Sequence, residues 1–225
     1  GSGRRMAAEI PKQYLEVAGA TLLEHSLRAL LACADIRAVA VVLDPSDRRN
    51  DKVAAVLNDA RVRTAAGGAE RADSVAAGLA ALAGEAAADD WVLVHDAARP
   101  CVGVASIMQL IEAVTSEGVG GILAERLVDT LKRGDDTGRV VETLDRRQLW
   151  RAQTPQMFRL DDLVARLADA LAAGEEPTDE AGAMERSGRQ PLLVEGCSTN
   201  IKITGPGDLA LAEFILRRRG KEAAS

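Results

Sequence analysis

The sequence predicts an α/β fold, a Rossmann-like and mostly parallel sheet with helices on both faces and a β-hairpin arm projecting from it. Three observations predict it. Short apolar runs alternate with amphipathic stretches of ten or more residues, the pattern of βαβ units. The runs end in turn or polar residues: Asp44-Pro45, Gly67-Gly68 and His95-Asp96. One stretch, Leu127–Leu144, breaks the alternation with two polar, β-prone runs around Gly134-Asp135-Asp136-Thr137-Gly138, which reads as a hairpin. The 225 residues suit a single domain over 1–225, with the arm at about 127–150.

The elements follow in order. Thr21–Cys33 places apolar residues at 22, 23, 27, 30 and 31, one face of a helix. Ala38–Leu43 is a continuous apolar run rich in valine, so it reads as a strand covered on both faces. Asp47–Leu57 reads as a helix, Arg61–Ala65 as a strand, Glu70–Leu82 as a helix and Trp91–His95 as a buried strand. Val104–Ser116 is helical and Gly120–Leu127 returns to strand. Beyond the arm, Asp161–Ala172 and Thr178–Ser187 read as helices, and Gln190–Val194 and Asn200–Thr204 as strands. Pro206–Arg219 closes the chain as a helix, with proline at its start and basic residues at its end, as the helix dipole favours.

Composition removes several classes of function. The net charge of −6 argues against a nonspecific nucleic-acid binder, whose affinity comes from a surplus of cations facing phosphates. A local basic cleft for small anions remains compatible with it. No apolar run approaches the ~20 residues that span a bilayer. Cys33, Cys101 and Cys197 are an odd number, widely spaced and without CxxC, so they read as reduced thiols of a cytoplasmic protein rather than a disulfide framework or metal site. Five aromatic residues leave the core to Ala, Leu, Val and Ile.

Four clusters carry candidate chemistry. Gly1-Ser2-Gly3-Arg4-Arg5-Met6 with Pro11-Lys12-Gln13 combines glycines, which let backbone N–H groups approach an anion, with cations. Gly67-Gly68-Ala69-Glu70-Arg71 lies between a strand and a helix, at the sheet edge where open α/β folds bind ligands. Asp96, at the end of a buried strand, suits Mg²⁺, which takes one or two carboxylates with phosphate oxygens and water. Arg99 can face the same cavity and fork onto phosphate, or brace the loop by pairing with Asp96. Strand alternation over 200–204 puts Asn200, Lys202 and Thr204 on one face. Taken singly, each cluster also has a plain structural reading as a tight turn, a loop ion pair or an edge residue.

Their order and spacing add what none carries alone. GxGRRM with PKQ, then GGxERxxS, HDAARP, DTxK in the hairpin, TPQ, TDEA and NIKxT together resemble the 2-C-methyl-D-erythritol 4-phosphate cytidylyltransferases over essentially the whole chain. The resemblance implies transfer of a cytidylyl group from CTP to methylerythritol phosphate with release of pyrophosphate, Mg²⁺ as cofactor, and a homodimer joined through the arms. It implies Arg5, Lys12 and Lys202 as catalytic cations on the CTP phosphates. Gly1, Gly3, Gly68, Ala69, Ser74 and Asp96 fall on nucleotide-binding positions, with Asp96 also the metal contact. Arg99, Thr130, Arg146 and Thr154 match positions around the methylerythritol phosphate, with Thr130 and Arg146 reaching it from the partner subunit. No membrane or nucleic-acid partner is implied.

Two departures stand out. In the family a buried strand runs into Pro-Ala-Ala-Gly, whose glycine would be Gly1 here, so native residues including that strand are expected before Gly1. Ala69 replaces an acidic residue that some relatives carry. Two rival readings remain: a cytidylyltransferase for another polyol phosphate such as ribitol 5-phosphate, and a nucleotide-binding protein without catalysis.

Overall fold

The computed structural model describes residues 11–44, 53–175 and 177–222. Its strands are β1 (Glu16–Val17), β2 (Ala20–Thr21), β3 (Val39–Leu43), β4 (Val62–Ala66), β5 (Trp91–Val94), β6 (Gly121–Arg126), β7 (Leu131–Gly134), β8 (Val140–Leu144), β9 (Trp150–Arg159) and β10 (Leu192–Glu195). Its helices are α1 (Leu22–Leu31), α2 (Ala54–Leu57), α3 (Arg71–Leu82), α4 (Val104–Glu117), α5 (Leu160–Ala172), α6 (Glu180–Arg186) and α7 (Pro206–Glu222). Of the helix expected over 47–57, only the part from Val53 lies within the described residues, and α2 begins at Ala54.

Local chemistry sets the boundaries. Thr21 opens α1 with a reciprocal cap: its hydroxyl accepts the Glu24 N–H, and the Glu24 carboxylate accepts the Thr21 N–H at 2.8 Å. Gly118, at φ 70°, ends α4 in the left-handed conformation that a side chain would strain.

Four strands form one sheet in the order β10-β6-β9-β5. β10 is parallel to β6, while β9 runs antiparallel to both β6 and β5, so β5, β6 and β10 share one direction. Period-two alternation then sends neighbouring residues to opposite layers. Ile122, Ala124 and Phe158 pack with α3, α5 and α6 through Leu79, Leu163 and Met184. Leu123 and Met157 pack on the other face against Ile107, Leu110 and Val114 of α4.

β3 and β4 pair in parallel as a second ladder. Among the described residues this ladder is not hydrogen-bonded to β5. A cavity of about 1460 Å³ separates them, walled by β3, β5 and one face of α3 from Arg71 to Leu82. The cavity lies beside the glycine turn Gly67-Gly68.

Two expectations need correction. Asn200–Thr204 is not a strand: the Ile203 N–H donates to the Ala98 carbonyl at 2.8 Å, outside any ladder of the described residues. Asn200 is buried while Lys202 and Thr204 are exposed, so the three do not share a face. Conversely β9, ten residues at the centre of the four-stranded sheet, falls where no strand is expected. The hairpin is present as β7 and β8, with a register irregularity at Arg133/Gly134. Among the described residues no helix is long and apolar enough to cross a membrane.

Candidate active site

β5 delivers His95, Asp96 and Arg99 to one end of the four-stranded sheet. The Asp96 N–H donates to Thr154 Oγ1 at 3.1 Å, and Thr154 Oγ1 lies 2.9 Å from His95 Nδ1. His95 Nε2 lies 3.2 Å from the Arg99 carbonyl, which can only accept. The neutral ring therefore carries its proton on Nε2, and the Thr154 hydroxyl donates to Nδ1. Burial pushes the His95 imidazole down to about 4, against the nearby Asp96 charge, so the ring is neutral at pH 7. The Thr154 hydroxyl is thus committed at both ends to shaping the loop.

Asp96 faces three cations. Lys202 Nζ is 2.7 Å from Oδ2, Arg71 Nη2 is 3.5 Å from Oδ1, and Arg99 Nε is 4.0 Å from Oδ2. Burial alone would raise the carboxyl; the hydrogen bond and charge of Lys202, followed by Arg71, outweigh it and hold it at about 2. Arg99 is buried, and burial lowers the affinity of its guanidinium for the proton. Its terminal nitrogens donate to the carbonyls of Asn200 (2.8 Å) and Ala152 (3.2 Å), which leaves Nε without a hydrogen-bond partner. The Arg99 fork therefore braces the cleft wall, and its Nε side faces Asp96.

Gly67 and Gly68 carry the chain from β4 into α3. The Gly67 N–H donates to the Leu43 carbonyl, and the Gly68 N–H to Ser74 Oγ at 3.2 Å. A Cβ on Gly68 would overlap that of Asp73, so the turn needs glycine there. Gly68, Ala69, Ser74 and Asp96 all line the cavity beside β3. Lys12 reaches the same region from the other side: its Nζ is 3.5 Å from the Ile203 carbonyl, next to Lys202. Gly1, Gly3 and Arg5 lie outside the described residues.

Thr130 and Arg146 are not part of this convergence. Thr130 precedes β7 and Arg146 begins the 3₁₀ turn Arg146–Gln148 after β8; both are exposed on the arm.

Sequence reasoning missed the polar residues that join the motifs. Arg71 meets the fully buried carboxylate of Glu180 with two hydrogen bonds, 2.6 and 3.0 Å, tying the glycine turn to α6. Gln156 Nε2 donates to Asp179, and Gln156 Oε1 accepts the Ala181 N–H, tying β9 to α6. Asn200 Nδ2 donates to Gln153 Oε1 and to the Thr154 carbonyl, tying the Lys202 segment to β9. The signal lay in the motifs themselves: GGxER holds a cation and TDEA an anion, each beside residues already singled out.

The chain matches the family model "IspD: 2-C-methyl-D-erythritol 4-phosphate cytidylyltransferase" over residues 1–218. It is 52% identical to the 2-C-methyl-D-erythritol 4-phosphate cytidylyltransferase of Chromobacterium violaceum, covering 97% of this chain and 95% of that one. The protein of the same name from Vibrio vulnificus is 49% identical, covering 97% and 92%. A crystal structure of 4-diphosphocytidyl-2C-methyl-D-erythritol synthase superimposes with a TM-score of 0.82 at 40% identity, covering 91% of this chain and 94% of that one. That of the Thermus thermophilus cytidylyltransferase gives 0.78 at 34% identity, with 94% and 96% covered. By sequence over nearly its whole length and by its overall fold, the chain belongs to the 2-C-methyl-D-erythritol 4-phosphate cytidylyltransferase family.

Proposed function

We propose that this protein transfers the cytidylyl group of CTP to 2-C-methyl-D-erythritol 4-phosphate, giving 4-diphosphocytidyl-2-C-methyl-D-erythritol and pyrophosphate for isoprenoid precursor synthesis. The observation that carries the reading is the cleft itself: Asp96, Lys202 and Arg71 gathered within 3.5 Å contacts beside the glycine turn. Family membership supports the same acceptor.

The chemistry asks for little more. The acceptor phosphate is already an anionic nucleophile, so no general base is required. The difficulty lies in bringing anions together and stabilising charge at the α-phosphate as pyrophosphate leaves. Lys202 and Lys12, with Arg5 from the family resemblance, are assigned to those phosphates. Gly68, Ala69 and Ser74 are assigned to the cytidine, with Gly1 and Gly3 as nucleotide-binding positions from the family resemblance. Arg99 and Thr154 form the acceptor side of the wall. A second copy supplies Thr130 and Arg146 across a dimer joined by the arms, for which the exposed Val128, Val140 and Val141 are the support.

The residues fit Mg²⁺. Asp96 Oδ2 already holds a cationic partner at the cleft. Among the described residues no group of three or more acidic, His or Cys side chains could cage a metal. One carboxylate suits an ion that completes its shell with phosphate oxygens and water. Bound there, Mg²⁺ would neutralise charge on the transferring phosphate. The free thiols Cys33, Cys101 and Cys197 support placement in the reducing cytoplasm.

A pyrophosphate-release assay with CTP, Mg²⁺ and methylerythritol phosphate tests the proposal, with ribitol 5-phosphate as the competing acceptor. Release with methylerythritol phosphate is expected. Turnover with ribitol 5-phosphate alone, or with neither acceptor, would contradict it.

A further inference from the structure

The three cations around Asp96 are not equivalent. Lys202 approaches Oδ2 on a side chain that is 43% exposed. Arg99 is fastened through two backbone carbonyls and stands 4.0 Å away. Arg71 reaches Oδ1 while both its terminal nitrogens grip Glu180, whose side chain has no exposed surface. Withdrawing Arg71 would leave a buried carboxylate without this cation, which is strongly unfavourable. Moving Lys202 exchanges the Asp96 carboxylate for a substrate phosphate as its anionic partner, and leaves Asp96 with Arg71 at Oδ1. When substrate phosphates enter, Lys202 is the cation able to follow them and Arg71 the one that stays.

We propose that Arg71 is a positioning residue for the transfer reaction: held by Glu180, it fixes the Asp96 carboxylate through Oδ1 while Lys202 is released from Oδ2 to the substrate phosphates. The inference rests on the function proposed above. It gives α6 a role, because Glu180 sits in its first turn and Asp179 caps it by accepting the Gly182 N–H at 2.9 Å. It also divides the Asp96 carboxylate into one anchored oxygen and one exchangeable oxygen. The exchangeable oxygen is the one offered to the cleft.

Three variants of the full chain test this: Glu180→Gln, Arg71→Lys and Arg71→Ala. Loss of groups that orient a site residue typically costs 10- to 100-fold, so kcat is expected to fall roughly that much in Glu180→Gln and Arg71→Ala. KM for CTP is expected to change less than about threefold, since the phosphate-gripping lysines remain. Arg71→Lys, which keeps the charge and loses the fork, lies between. Methylguanidine is expected to restore part of the kcat of Arg71→Ala and none of that of Glu180→Gln. A merely structural role would instead lower the melting temperature, leave kcat per folded molecule unchanged and give no rescue.

A second readout needs no substrate. The backbone amide resonance of Asp96 in the ligand-free protein is expected to shift in Glu180→Gln. It is expected to stay in place in Glu85→Gln, which removes the surface carboxylate paired with Arg63. An unmoved Asp96 resonance, or full kcat in folded Glu180→Gln, overturns the proposal. If Arg71→Ala does not fold, Glu180→Gln and Arg71→Lys decide it. Absence of pyrophosphate release by the unmodified protein would sink the proposed function, while the resonance still judges the link from Glu180 to Asp96.

Discussion

The wall of the cleft and the arm that leaves it are built on opposite terms. In the wall, polar side chains are buried and multiply held: Thr154 between Asp96 and His95, Asn200 between Gln153 and the Thr154 carbonyl, Arg71 between Glu180 and Asp96. In the arm, the polar contacts stay within the hairpin, as in Lys132 with Thr143 and Arg133 with Glu142. Thr130 and Arg146 stand in solvent there, and Val128, Val140 and Val141 are 75%, 64% and 56% exposed. Apolar side chains held out in this way read as surface reserved for another molecule. The contrast separates a half-site whose geometry one chain fixes from a half-site that, on the function proposed here, a second copy completes.

Lys202→Ala should show the largest effect. Removing one preorganised charge donor typically costs about 10²- to 10³-fold in kcat, and the variant is expected to fold and dimerise normally. Steady-state kinetics with a sedimentation profile check both halves of that statement; unchanged turnover would remove Lys202 from the mechanism. Val140→Asp with Val141→Asp strikes the other region. Surface changes of this kind move fold stability by only about 0.5 kcal/mol, so the melting of each chain should barely change. Sedimentation should show monomer and turnover should fall, because Thr130 and Arg146 no longer reach a neighbour. An active monomer would break the comparison.

Thr154→Val should act locally and least. It removes a buried hydroxyl and strands the Asp96 N–H, a loss of about 1–3 kcal/mol in stability. Thermal melting should report it, and Thr154→Ser should restore most of it. A Thr154→Val protein as stable as its parent would mean that the hydroxyl does not brace the loop.

The residues also explain which parts of this architecture the sequence displayed. VAVVL, WVLV and GILA are continuous apolar runs, and their strands lie within a residue or two of expectation. β9 stayed hidden because Gln153, Thr154, Pro155 and Gln156 interrupt its apolar pattern. Those residues are buried all the same, since partners at 95, 96, 179, 181, 197 and 200 satisfy their polar groups. A local period cannot register partners that far along the chain. Over 200–204 the alternation was real but misleading, because Asn200 turns into β9 and Ile203 bonds to the Ala98 carbonyl. Asp96 and the glycine turn were legible because each sits at the end of a recognisable run. Arg71 and Glu180, 109 residues apart, became a pair only in three dimensions.

On the function proposed here, a complete site combines the cleft of one chain with the arm of another. Mixing Lys202→Ala, defective in the cleft, with Arg146→Ala, defective in the arm, tests it most directly. In a mixed dimer one site carries both lesions and the other carries neither. After random subunit exchange of equal amounts, pyrophosphate release is predicted to recover to about a quarter of the unmodified level. Activity that stays at the mean of the two separate variants would contradict the claim and place Arg146 with its own cleft.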